Sequence, residues 1–318
     1  MKAVYLEEGA VNKGDISLKP ITDIIDTKIY YNTTEKDKLE HIGDAEVVFT
    51  NKVVFDEKTF SLCPNLKYIG VCATGYNVID LEAAKRHGVT VTNVPAYSTE
   101  AVAQLTWGFI IESVNHLALH NESVHKGDWV KSEIFCYWLD KAIELNGKTL
   151  GIVGYGNIGK RVSDIALAFG MKVIVLTAHP EKYEKERNIE FVTEDELFKR
   201  SDIISLHCPL TNKTEKIIRS ENIARMKDGV IIINVSRGNL VDEKDLSDAL
   251  KSGKVMCAAA DVVSEEPMKE DNPLLGAPNM IITPHIGWAS VEARERLIQG
   301  VANNLKAFLN GEKLNVIV

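Results

Sequence analysis

Over residues 1 to 98, short apolar runs alternate with stretches of helical polar-apolar character. The runs Ala3 to Leu6, Lys28 to Tyr31, Glu46 to Thr50, Tyr68 to Val71 and Val89 to Val94 are rich in β-branched and aromatic residues, and stretches such as Asp80 to His87 separate them. Strands spaced by helix-length segments predict a parallel α/β domain. Ser98-Thr99-Glu100 then offers a cap and an acid in a first turn, which predicts a long helix over Ala101 to His120. Residues 121 to 147 lose the pattern and carry Trp129, Phe135, Tyr137 and Trp138; a stretch this long is no routine connection and reads as a packing or subunit-contact arm. From Gly147 the alternation resumes, with strands near 149 to 153, 172 to 176, 202 to 206, 229 to 234, 255 to 260 and 280 to 283. Six strands complete a second doubly wound sheet. A last helical stripe, Ser290 to Leu309, lies beyond that set, and periodicity does not say which domain receives it.

The second domain opens with the most informative segment. Thr149 to Val153 enters Gly154-Tyr155-Gly156-Asn157-Ile158-Gly159, a helix-competent stretch runs from Ile158 to Phe169, and Lys172 to Leu176 reads as the next strand. In this G-x-G-x-x-G setting Gly154 makes the tight turn, Gly156 lets the backbone approach a pyrophosphate, and Gly159 lets the helix pack closely on its strand. The phosphates meet the open N–H groups and positive end of the helix. The segment predicts dinucleotide binding.

Composition narrows the class. The 318 residues are about two domains long, and 45% hydrophobic content suffices for two cores. A net charge of -8 without a basic stripe argues for no nucleic-acid partner and no membrane surface. Acid at Glu7 and Glu8 arrives too soon for a secretory signal, so the expectation is a cytoplasmic protein. The five cysteines, Cys63, Cys72, Cys136, Cys208 and Cys257, are odd in number and widely spaced, which reads as free thiols.

Three segments at or after late strands each present one reactive side chain: Arg237 in Asn234-Val235-Ser236-Arg237-Gly238, Glu266 in Asp261 to Pro267, and His285 in Thr283-Pro284-His285-Ile286-Gly287. Ligands of open α/β sheets lie at carboxyl ends of strands, where these segments converge. The set suits hydride transfer between nicotinamide and a 2-hydroxy or 2-keto acid. Arg237 offers a planar fork of donors for a carboxylate and a neighbouring carbonyl. His285 gives or takes the oxygen's proton, and a carboxylate partner, Glu266, favours a protonated ring and fixes its tautomer.

These motifs in this order resemble the D-isomer-specific 2-hydroxyacid dehydrogenase family over nearly the whole length. Val71-Cys72-Ala73-Thr74-Gly75-Tyr76-Asn77-Val78-Ile79-Asp80, Val91 to Thr99 and Phe135-Cys136-Tyr137-Trp138 look most like its glycerate dehydrogenase and hydroxypyruvate reductase branch. The resemblance implies two Rossmann-like parallel-sheet α/β domains: a discontinuous, flavodoxin-like substrate domain of residues 1–98 and 287–318, and an NAD(P)-binding domain of residues 99–286 with the active site between them. It implies Arg237 for substrate, Glu266 and His285 as the acid/base pair, and Thr74 and Gly75 as backbone donors to the substrate carboxylate. It places Asn157, Ile158, Thr177, Cys208, Pro209, Thr214, Val235 and Asp261, with the glycine turn, against the dinucleotide. It also implies a homodimer built on the long helix and the arm.

One departure bears on the cofactor. Where NAD-preferring relatives end the second strand with Asp or Glu on the ribose, this chain has Thr177-Ala178-His179-Pro180, so NAD and NADP both stay open: Thr177 does not repel a 2′-phosphate, and His179 or Lys182 could pair with one. His116 and His120 have the i, i+4 spacing of a metal pair but lack the glutamate of a zinc-protease helix, and no metal is expected. Cys72 has no histidine partner in the motif set. Trp138 and Trp288 are candidate walls limiting substrate size. The leading expectation is reduction of hydroxypyruvate or glyoxylate; the alternatives are a D-lactate-type or other 2-keto acid reductase, a formate or phosphite enzyme, and a dinucleotide-sensing scaffold without catalysis.

Overall fold

The computed structural model describes residues 1–183 and 188–318. The chain divides into two compact units, one of Met1–Ser98 with Trp288–Val318 and one of Thr99–Gly287. In the first unit β1 (Ala3–Tyr5), β2 (Thr27–Ile29), β3 (Val47–Thr50), β4 (Tyr68–Val71) and β5 (Thr90–Thr92) form a parallel sheet in the order β2-β1-β3-β4-β5. That is the flavodoxin-like doubly wound order. Every residue of β3 and β4 is buried, as continuous apolar strands of a sheet covered on both faces must be. The helix Val291–Leu309, capped by Ser290, lies on this sheet, with the Phe308 ring 4.7 Å from that of Tyr68.

The second unit holds seven parallel strands: β6 (Thr149–Val153), β7 (Lys172–Leu176), β8 (Glu190–Phe191), β9 (Ile203–Leu206), β10 (Val230–Asn234), β11 (Val255–Ala260) and β12 (Met280–Ile282). Their order is β12-β11-β10-β9-β6-β7-β8. The winding reverses between β6 and β9, and the carboxyl ends there open onto the crevice where such sheets bind ligands. Strand β8 has no counterpart in the hydrophobic pattern. It is two residues long and owes its extended form to the ladder with β7.

The continuous helix expected over 101 to 120 is two helices, Thr99–Asn115 and Leu117–His125, divided at His116, whose φ is 51°. The Glu112 carboxylate caps the restart by accepting from the Ala118 N–H at 3.1 Å. His116 and His120 therefore do not share a helix face, and His120 Nδ1 faces the His116 carbonyl at 2.8 Å. Among the described residues no group of three or more His, Cys, Asp or Glu side chains could hold a metal ion, and no helix is long and apolar enough to cross a membrane.

Candidate active site

The glycine turn has three different geometries at its three glycines. Gly154 has φ 94°, and a Cβ there would lie 2.6 Å from the Cys208 amide nitrogen, so β6 and β9 end in backbone-to-backbone contact. A Cβ on Gly159 would lie 2.2 Å from the Gly154 carbonyl oxygen, which presses the helix Asn157–Ala168 onto its strand. A Cβ on Gly156 would meet nothing within 4 Å. The turn is closed against the protein at two points and open at the third, next to the N-terminus of a 12-residue helix; this cradle fits a pyrophosphate.

Around the turn, Cys208 is buried and its thiol is pushed up to about 11 by burial, so it is not a reactive thiolate. Its carbonyl accepts from the Ser236 hydroxyl at 2.6 Å. Thr214 donates to the Pro209 carbonyl at 2.7 Å and shapes that loop. Thr177 follows β7 directly, and its hydroxyl accepts from the His179 N–H at 3.4 Å. His179 pairs with Glu181 at 3.1 Å, so the nearest carboxylate after β7 comes from a residue the motif did not point to.

The reactive side chains sit beyond the carboxyl ends of β10, β11 and β12. Arg237 is exposed, its Nη1 donates to the Ser236 carbonyl at 2.8 Å, and no carboxylate pairs with it among the described residues. The buried Asn234 shapes this turn, donating to the Arg237 carbonyl at 2.9 Å and accepting from the Ser236 N–H at 3.1 Å. His285 Nδ1 and Glu266 Oε2 are 2.7 Å apart, each side chain 34% exposed. The other Glu266 oxygen accepts from the Val263 N–H at 3.3 Å. His285 has φ 55°, a left-handed conformation that a non-glycine residue holds only where its surroundings impose it. Asp261 imposes it: buried at 3% exposure, its carboxylate accepts from the Thr283 hydroxyl at 2.6 Å and from the Ile286 and Gly287 amides at 2.7 Å each. Asp261 thus grips the turn that carries His285. Asn234, Ser236 and Asp261 all act in the same way, through ordinary hydrogen bonds to backbone.

Thr74 and Gly75 belong to the other unit, in the loop after β4. Cys72 beside them is fully buried, and burial pushes its thiol up to about 12. His207, which no motif singled out, lies at the carboxyl end of β9; burial pushes it down to about 3, with Nε2 at 2.8 Å from the Ser205 hydroxyl. In the arm, Trp138 is 75% exposed and Phe135 86% exposed, and Trp288 is half-buried.

Residues 107–287 match the family model described as "D-isomer specific 2-hydroxyacid dehydrogenase, NAD binding domain". A protein of Blautia hydrogenotrophica named hydroxypyruvate reductase is 47% identical over 320 residues, spanning 100% of this chain and 99% of that protein. The chain belongs to the D-isomer-specific 2-hydroxyacid dehydrogenase family. Glycerate dehydrogenase of Methylorubrum extorquens is 37% identical over 99% of this chain and 98% of its own length. Among solved structures, D-lactate dehydrogenase of Aquifex aeolicus, complexed with NAD and lactic acid, superposes with a TM-score of 0.85 at 32% identity, covering 100% of this chain and 99% of that one. The second unit is therefore the NAD-binding domain of this dehydrogenase family.

Proposed function

We propose that this dehydrogenase reduces hydroxypyruvate and glyoxylate to D-glycerate and glycolate. The observation that carries the reading is the 2.7 Å pair of His285 Nδ1 and Glu266 Oε2, with the Arg237 guanidinium, free of any carboxylate among the described residues, on the same edge of the sheet. The choice of acid rests on relatives named hydroxypyruvate reductase, glycerate dehydrogenase and glyoxylate reductase. The bound nicotinamide supplies the hydride to the carbonyl carbon. Arg237 holds the 2-keto acid by a planar fork that spans carboxylate and carbonyl oxygens. Glu266 fixes the ring through Nδ1 and so leaves Nε2 as the atom that protonates the carbonyl oxygen, or accepts its proton in the reverse direction. Thr74 and Gly75 donate backbone N–H groups to the substrate carboxylate.

Gly154, Gly156, Asn157, Ile158 and Gly159 cradle the pyrophosphate, and Thr177, Cys208, Pro209, Thr214 and Val235 flank the rest of the dinucleotide. Asp261 reaches the reaction through the His285 turn. The working form is a homodimer, a reading supported by the exposed apolar side chains that the arm offers to a partner, Val130, Phe135 and Trp138 at 89%, 86% and 75% exposure. Free cysteines throughout suit a reducing compartment such as the cytoplasm.

Steady-state rates with hydroxypyruvate, glyoxylate and pyruvate, each with NADH and with NADPH, test the proposal. Turnover of the first two is expected, with a loss of roughly 10²-fold or more in His285→Ala. Absence of turnover on all three removes it.

A further inference from the structure

The loop after β4 is tied by its carbonyls in a way no motif announces. The Cys72 carbonyl accepts from the Asn51 side-chain amide at 2.7 Å, the Ala73 carbonyl from the Val94 N–H at 3.0 Å, and the Thr74 carbonyl from the Asn93 side-chain amide at 2.7 Å. Three successive peptides are thus each held by their oxygen. In a trans peptide the N–H points opposite to the C=O. The N–H groups paired with these carbonyls belong to Ala73, Thr74 and Gly75, and none has a hydrogen-bond partner among the described residues. Successive outward N–H groups form a concavity suited to an anion.

The two asparagines are buried and are themselves held. Asn51 is 7% exposed, and one oxygen of the buried Glu7 accepts from the N–H groups of Asn51 and Lys52 at 2.9 Å each, from that of Val53 at 3.1 Å and from the Thr50 hydroxyl at 2.9 Å. Asn93 is 7% exposed; its carbonyl accepts from the Asn304 side chain at 2.8 Å, and Asn304 in turn accepts from Asn315 at 2.9 Å. Glu7 with Asn51, and Asn93 with Asn304 and the half-buried Asn315, therefore make two chains that end on the same loop, buried apart from Asn315.

We propose that Asn51 and Asn93 are positioning residues for substrate recognition: by holding the carbonyls inward they aim the Ala73, Thr74 and Gly75 amides at the substrate carboxylate. This rests on the proposed 2-keto acid reductase and adds to it the residues that orient its carboxylate donors. Amides held in advance bind without an ordering cost. A loop released from Asn93 has to be ordered each time the acid binds.

The test compares Asn93→Ala and Asn51→Ala with Asn12→Ala, a control in the same unit that removes a buried asparagine bonded to Ile16 at 3.1 Å and to the Gly14 N–H at 2.9 Å. KM for hydroxypyruvate and the inhibition constant of oxalate are expected to rise together by about tenfold in Asn93→Ala and Asn51→Ala, with KM for NADH within about twofold. Asn12→Ala is expected to lower Tm and leave both constants unchanged. Unchanged constants in a folded Asn93→Ala or Asn51→Ala overturn the proposal, as does an equal rise in Asn12→Ala. Should both loop variants fail to fold, amide exchange of the wild-type protein decides: oxalate is expected to slow exchange at Ala73, Thr74 and Gly75, and no slowing overturns the proposal. A wild-type protein that turns over no 2-keto acid sinks the proposed function alone. The exchange result then still stands for or against a carboxylate site on this loop.

Discussion

Gly238→Ala should damage the reaction more than so small a change suggests. A Cβ at residue 238 would lie 1.9 Å from the Val263 carbonyl carbon, 2.0 Å from its oxygen and 2.3 Å from the Ser264 amide nitrogen, whereas ordinary contact begins at 3.4 Å. All three atoms are backbone, so no side chain can swing aside, and the two segments must separate by about 1.5 Å, the difference between 3.4 and 1.9 Å. One segment carries Arg237 and the other leads to Glu266, whose oxygen accepts from the Val263 N–H. Overpacking costs about 1 to 3 kcal/mol of stability. For a domain of this size that is a fall in Tm of roughly 2 to 12 °C. Misplacement of reacting groups by about 1 Å costs on the order of 10²-fold in rate. With hydroxypyruvate and NADH, kcat/KM is expected to drop about 10²-fold, while NADH affinity, measured by protein fluorescence quenching, falls by much less, because of the proposed dinucleotide contacts only Val235 lies beside the displaced segment and the glycine turn at 154 to 159 lies on other strands. A variant with wild-type kcat/KM and Tm would refute the claim that these two backbones hold Arg237 and Glu266 in register.

Asp15 is held at about 2 by the two Arg294 donors at 2.7 and 2.6 Å, which tie the helix Val291–Leu309 to the loop after Val11. Its folded value lies below the ordinary one, so the pair stabilises fully above pH 3.8 and the contribution disappears as pH falls through 2. Melting curves of Asp15→Asn should therefore show a lower Tm at pH 7 and a difference that shrinks as pH falls to 2 and below; an equal difference at pH 7 and pH 2 would contradict the assignment. Thr177→Asp places a carboxylate at the end of β7, and the ratio of kcat/KM for NADH over NADPH should rise at least about tenfold, the scale of one lost charge-assisted contact. An unchanged ratio would mean that Thr177 does not face the ribose. If the proposed homodimer forms through the arm, Phe135→Asp should give monomer in sedimentation or light scattering where the wild type gives dimer, and a dimer that survives would place the subunit contact elsewhere.

The inner strands of the two parallel sheets were legible because buried parallel strands are written as apolar runs, and the mostly exposed edge strand β2 overlaps the run at Lys28 to Tyr31. β8 was not, since two residues have no period. The break at His116 was also hidden: Ala101 to His120 keeps its apolar spacing across it, while the left-handed residue and the Glu112 cap are tertiary facts. Arg237, Glu266 and His285 stood out because each closes a strand with a reactive side chain. The roles of Asn234 and Asp261 in holding the turns that carry Arg237 and His285 were not legible, because both work by hydrogen bonds to backbone, and neither were the bonds of Asn51 and Asn93 to the loop after β4, several of these partners being distant in sequence, as between Asn51 and Cys72 or Asp261 and Gly287. Similarly, Glu181 follows Thr177 too loosely to be read as its neighbour, yet it sits on His179.

In the proposed reaction the His285–Glu266 pair moves the proton as a short 2-keto acid is reduced. The most direct measurement of this role is kcat for hydroxypyruvate in wild type, His285→Ala and Glu266→Gln, each with bound NADH confirmed by fluorescence. Reduction to D-glycerate is expected in wild type, with a loss of roughly 10²-fold or more in His285→Ala and NADH binding intact. A wild-type rate in His285→Ala, or formation of L-glycerate, would contradict it.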